Sequence, residues 1–151
     1  MLEYDSLQSA NDRETVPILS VSPVLEDHRI LEDILSSRLW TIKRALTLRR
    51  ARHLLERNPF AVVVCEGEIE PGMWQDLLKK TGSLAAPPFL VVTSRHADER
   101  LWSEALSLGA YDVLTKPLDR AEATRTLNMA WMHWRFERGS KAEPKAGGAA
   151  G

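Results

Sequence analysis

The chain has 151 residues, 44% of them hydrophobic and 27% charged, with a net charge of -1. That is enough apolar material for the core of one globular domain, and the near-neutral balance argues against general attraction to nucleic acid or to an anionic membrane. The single cysteine excludes an internal disulfide framework and suits a reducing cytoplasm, and no run reaches the about 18 apolar residues of a membrane span.

Residues 1–15 carry little apolar periodicity and read as a flexible lead-in, without the basic start and apolar stretch of a secretory signal. Ile18-Leu19-Ser20-Val21 predicts a short strand, stopped by Ser22-Pro23. Leu25 to Ser37 follows as a helix, with Ile30, Leu31, Ile34 and Leu35 at helical spacing. Trp40 to Ala45 is a weaker strand. Thr47 to Arg57 is a second helix, apolar at Leu48, Ala51, Leu54 and Leu55 and ended by Asn58-Pro59. Phe60 to Cys65 is apolar without alternation, as a central strand covered on both faces must be. Gly72 to Lys80 gives a third helix, Pro88 to Thr93 a fourth strand, and Ala97 to Leu108 a fourth helix closed by Gly109 at its C-cap. Tyr111 to Thr115 is the fifth strand. Asp119 caps the last helix, with Glu122 placed to complete a capping box.

Five strands alternating with five helices define an α/β domain over residues 16–138, a parallel sheet with right-handed crossovers and helices on both faces. Residues 139–151, GSKAEPKAGGAAG, are low in complexity and read as a disordered tail. Periodicity does not order the strands.

The stretch Leu108 to Leu118, with Thr115-Lys116-Pro117 at its end, resembles the last strand of a response-regulator receiver domain. Thr93 at the end of the fourth strand, Asn58-Pro59 before the third and Gly109-Ala110 before the fifth agree with it in order and spacing. The resemblance covers about residues 17–137 and implies a flavodoxin-like, doubly wound (βα)5 sheet of order 2-1-3-4-5. In that family the lysine contacts a phosphorylated aspartate, and the proline after it sets a tight, usually cis, turn.

The family's carboxylates are missing. Its acidic pair, which holds Mg²⁺, falls on Ser22 and Pro23, and these cannot replace two negative oxygen ligands. Its phospho-accepting aspartate falls on Cys65, or on Glu66 if the register moves by one. Glu66 in that place would mimic part of the phosphoryl charge beside Lys116. Only Thr93, Lys116 and Pro117 carry over from the family's site, so the resemblance implies a degenerate member, a pseudo-receiver, with Mg²⁺ binding weak or absent and no catalytic or metal site.

Glu26, Asp27 and His28 open the first helix, where acidic residues already suit the helix dipole. Lys43, Arg44, Arg49, Arg50, Arg52 and Arg57 make a basic surface without the interleaved aromatics of a nucleic-acid reader. On the last helix Leu127, Ala130, Trp131 and Trp134 form a stripe toward the sheet, leaving Met132 and Phe136 outside it. With Trp102 and Tyr111 these make a candidate interaction face, since aromatics concentrate at interface hot spots.

The expected function is that of a stand-alone receiver-like module of a two-component phosphorelay, cytoplasmic and not an enzyme, acting through protein contacts without phosphorylation. Its partner would be a sensor kinase or another signalling protein, or a second copy bound through the last two helices. The alternative is a redox or small-ligand-binding protein on the same fold, using Cys65 and Lys116.

Overall fold

The uniformly apolar runs become the inner strands of a five-stranded parallel sheet, in a computed structural model that describes residues 15–67 and 73–150. Residues 1–14 of the lead-in and 68–72 of the loop after the third strand lie outside the described residues. In chain order the elements are β1 (Val16–Val21), α1 (Leu25–Ile34), β2 (Trp40–Ala45), α2 (Leu48–Arg57), β3 (Val62–Glu66), α3 (Met73–Gly82), β4 (Phe89–Ser94), α4 (Glu99–Leu108), β5 (Asp112–Thr115) and α5 (Arg120–Ala150). The strand order is β2-β1-β3-β4-β5, and each neighbouring pair is parallel. This is the flavodoxin-like, doubly wound arrangement, with its reversal between β1 and β3.

Two cores follow from the two-residue alternation of side chains along each strand. Leu19, Val21, Val63, Cys65, Val92 and Val113 face one way, against α2, α3 and α4. Val16, Ile18, Val62, Val64, Val91 and Leu114 face the other, against Leu31 and Leu35 of α1 and its C-cap and Ala123, Leu127 and Ala130 of α5. Trp131 and Trp134 pack partly buried on the second core, as the stripe on the last helix predicts.

Local chemistry sets several boundaries. Thr47 caps α2 by accepting from the Arg50 N–H at 3.0 Å, and Asp98 caps α4 by accepting from Leu101 at 2.8 Å. Gly109 closes α4 at φ 109°, a left-handed conformation that favours glycine. Asp119 accepts from the Glu122 N–H at 2.9 Å, which is one half of the expected capping box.

Most boundaries shift by one to three residues from the sequence reading, and three of the differences bear on the argument. β1 starts at Val16, where Pro17 masked the strand signal; the Pro17 carbonyl still accepts from Ala61 at 2.9 Å. β3 continues through Glu66, because the Gly67 N–H donates to the Thr93 carbonyl at 2.8 Å and carries the pairing past Cys65. α5 runs to Ala150, so its bounds include the stretch read as a tail, although Pro144, Gly147 and Gly148 there disfavour a helix.

Candidate functional site at the carboxyl ends of the strands

Parity along the strands decides which side chains can meet. Ser20 continues the face of Ile18, Glu66 that of Val64, Thr93 that of Val91 and Lys116 that of Leu114. Cys65 shares the opposite face with Val63 and Val92. The alignment of Glu66 with Thr93 and of Cys65 with Val92 across β3 and β4 shows the same division. Of the two sequence candidates for the phospho-acceptor position, Glu66 therefore enters the site and Cys65 does not.

Lys116 lies at the centre. Its ammonium is ion-paired with Glu66 and lies 3.1 and 3.2 Å from the two carboxylate oxygens of Asp27. The Glu66 side chain is only 3% exposed and that of Lys116 13%. Burial acts to lower the lysine pKa, but hydrogen bonds to Glu66 and Asp27 outweigh it and hold the group above the ordinary lysine value. The Lys116 backbone N–H donates to the Ser94 carbonyl at 2.9 Å, and the Lys116–Pro117 peptide bond is cis.

The start of α1 brings the second carboxylate. Ser22 accepts the Val24 N–H at 3.0 Å and donates its own hydroxyl to Asp27 at 2.6 Å. His28, fully buried, ties the same segment to β1: its Nε2 donates to the Ser22 carbonyl at 2.7 Å, and its Nδ1 pairs with the Ser20 hydroxyl at 2.8 Å. The sequence reading assigned Asp27 to the helix dipole and gave His28 no structural role. The missed signal was position: a first-turn residue of the helix after β1 lies next to the strand ends.

Glu66 is held in place from behind. A Cβ at Gly67 would come within 2.9 Å of Val92 Cγ1, so the chain approaches β4 more closely than any larger residue permits. Ser22, Asp27, Thr93 and Lys116, with Arg95 and the apolar Ile30, Leu31 and Leu118, line a cleft of about 310 Å³.

These groups do not suit a hard dication. Lys116 engages both carboxylates, the Ser22 hydroxyl is committed to Asp27, and Pro23 offers no side-chain oxygen. Among the described residues no cluster of His, Cys, Asp or Glu is placed to hold a metal ion.

The comparisons with known proteins agree with this architecture. No family model matches the sequence, and no curated protein does. Solved structures do: a signal receiver domain from Vibrio parahaemolyticus superposes with TM-score 0.76 at 16% identity, covering 82% of this chain and 95% of that one. The signal receiver domain of an HD domain-containing protein from Pseudomonas fluorescens Pf-5 gives 0.72 at 22% identity, with 80% and 98% covered. A CheY-like response regulator receiver domain protein from Methanospirillum hungatei JF-1 gives 0.72 at 16%, with 82% and 98% covered. The chain has the receiver-domain fold.

On the receiver fold the remaining candidates fall as follows. Ser22 and Pro23 follow β1, where the resemblance places the acidic pair, and Thr93 and Lys116 end β4 and β5 in the same cleft. Trp102 (47% exposed), Met132 (61%) and Phe136 (73%) are open on α4 and α5. Tyr111 differs from these three. It is partly buried, with its ring 5.1 Å from that of Phe89 and its hydroxyl 2.8 Å from His133 Nδ1, so it braces α5 against β5.

The alternative built on Cys65 with Lys116 is not favoured. The two residues lie on opposite faces, and burial, reinforced by the nearby Glu66 charge, pushes the Cys65 thiol up to about 12. Such a thiol is a small core side chain. Among the described residues no helix is long and apolar enough to cross a membrane.

Proposed function

We propose that this chain is a receiver-like signalling module that works through protein–protein contacts and without phosphorylation. The observation that carries this reading is the Lys116 ammonium held between Glu66 and Asp27. In a phosphorylated receiver the lysine answers a charge that arrives; here two resident carboxylates already supply it. Ser22 and Pro23 leave no acidic pair to recruit Mg²⁺, so a phosphoryl donor meets neither the metal nor the usual aspartate.

The far face is then set by sequence or by a partner rather than by a phosphorylation equilibrium. Its exposed Trp102, Met132 and Phe136 suit a partner such as a sensor kinase or another signalling protein, or a second copy docked through the last two helices. The module is read as non-enzymatic and cytoplasmic, in a two-component setting that rests on the resemblance and on the fold.

The test is an amide NMR titration with Mg²⁺ and then beryllofluoride, which mimics the phosphoryl group. The expected result is no saturable shift at Ser22, Glu66, Thr93 or Lys116. Saturable shifts there that spread to α4 and α5 would restore a working phosphorylation switch and overturn the proposal.

A further inference from the structure

At the amino ends of the strands, away from Lys116, lies a groove of about 900 Å³. Trp131 and Trp134 of α5 and Phe60 before β3 give it aromatic walls, and Lys43 of β2 with Arg135 and Arg138 of α5 give it positive charge. All three cations are exposed. The Arg135 guanidinium sits 5.8 Å from the Trp131 ring centre and that of Arg138 4.7 Å from the Trp134 ring centre. Stacking of this kind desolvates one face of a guanidinium and leaves its in-plane N–H edges for carboxylates. Among the described residues none of these three cations has a carboxylate partner, and no acidic side chain lines the groove. In a chain whose net charge is -1, this is a local surplus of positive charge with nothing described to answer it.

We propose that the groove docks an acidic, partly apolar peptide segment of a partner protein, on a surface separate from the exposed residues of α4 and α5. The arrangement of charge sets the chemistry of the occupant. Arg135 and Arg138 stand about one helical turn apart, and Lys43 comes from a different element, so carboxylates spaced along one peptide match cations spaced over two elements. The tryptophans offer apolar contact to the side chains between those carboxylates. Single-stranded nucleic acid also carries spaced negative charge, but it binds by laying bases on open aromatic faces. Here an arginine lies over each indole ring, and both rings are half-buried against the core. The groove therefore favours carboxylates over bases.

The experiment follows the indole N–H signals of Trp131 and Trp134 by NMR while the full chain is titrated with a short peptide of alternating glutamate and leucine. The same peptide with glutamine in place of glutamate and a single-stranded oligonucleotide are titrated in parallel. The expected result is saturable indole shifts with the glutamate peptide alone. Affinity should fall about tenfold in Arg135→Glu/Arg138→Glu, where two attractions become repulsions. A smaller loss is expected in Lys43→Glu, which lies off α5 and so separates the charge effect from any change in that helix. No saturable shift with the glutamate peptide overturns the proposal. An equal response to the glutamine peptide overturns it too, by making the groove merely apolar. Tighter binding of the oligonucleotide overturns it and assigns the groove to nucleic acid. Indole shifts that appear without peptide as protein concentration rises overturn it in favour of a second copy. Affinity unchanged in both charge variants places the peptide elsewhere and overturns it as well.

Discussion

The two ends of the sheet handle charge in opposite ways. At the carboxyl ends Lys116 is enclosed by two carboxylates and a network through Ser22 and His28, in a cleft that Arg95 also lines, and the charge of the lysine is answered from within. At the amino ends three cations and two tryptophans face a groove with no described carboxylate to answer them. A buried, self-matched cluster gains little from a ligand, because any newcomer must first displace a partner already in place. An open, unmatched one gains from the first complementary group that reaches it. The difference directs attention away from the end where the receiver fold does its chemistry and toward the end where it ordinarily does none.

The largest test of this contrast is Lys116→Met. It leaves Glu66 and Asp27 facing each other without their cation, and urea denaturation should show a loss of about 3 kcal/mol. Adding Glu66→Gln should recover much of it, since removing both partners costs less than orphaning one. Equal losses in the single and double variants would mean the cluster is not coupled. At the other end, Trp131→Ala removes a half-buried ring that packs edge-on to Trp40 at 6.5 Å, and should cost about 2 kcal/mol. A loss as large as that of Lys116→Met would erase the distinction between a closed end and an open one.

The pH dependence is a smaller effect and has a definite sign. The folded thiol of Cys65 titrates at about 12, whereas an unfolded cysteine titrates near about 8.5. The folded state therefore keeps a proton that the unfolded state gives up. Stability from this residue is fully present below about pH 8.5 and falls above it by at most about 1.4 kcal/mol per unit. Comparing wild type with Cys65→Ala across pH 7 to 10 isolates the slope, and rapid modification of Cys65 at neutral pH would contradict its burial. Lys116 acts in the same direction, but only above about pH 10.4. Smallest is the pair Arg120–Asp33, 2.7 Å apart but 61% and 76% exposed. Arg120→Ala should move stability by no more than about 0.5 kcal/mol, and a larger change would show that surface pairs matter here as much as enclosed ones.

Much of the fold was legible because apolar runs, caps and turn residues all pointed to one alternating pattern, and Lys116-Pro117 with Thr93 fixed its family likeness. The choice between Cys65 and Glu66 was not legible. Val62 to Cys65 is apolar on both faces, so hydrophobicity carried no parity, and only the strand register to Thr93 supplies it. Asp27 was hidden for another reason. An acid in the first turn of a helix has an ordinary explanation, and the contact with Lys116 spans 89 positions of sequence. The groove was equally invisible, because Lys43, Phe60 and Arg135 share no motif and meet only through topology.

The lysine-centred cluster also bears on evolutionary reversal. On the reading of a lost phosphorylation site, regaining it is not a matter of one codon. Replacing Ser22 with aspartate puts a third carboxylate beside Asp27 and Glu66 with a single lysine to serve all three. Removing Asp27 first takes away one partner of Lys116 and the acceptor of Ser22. Both of these steps are expected to lower stability, so on this reading the cluster acts as a ratchet against reversal.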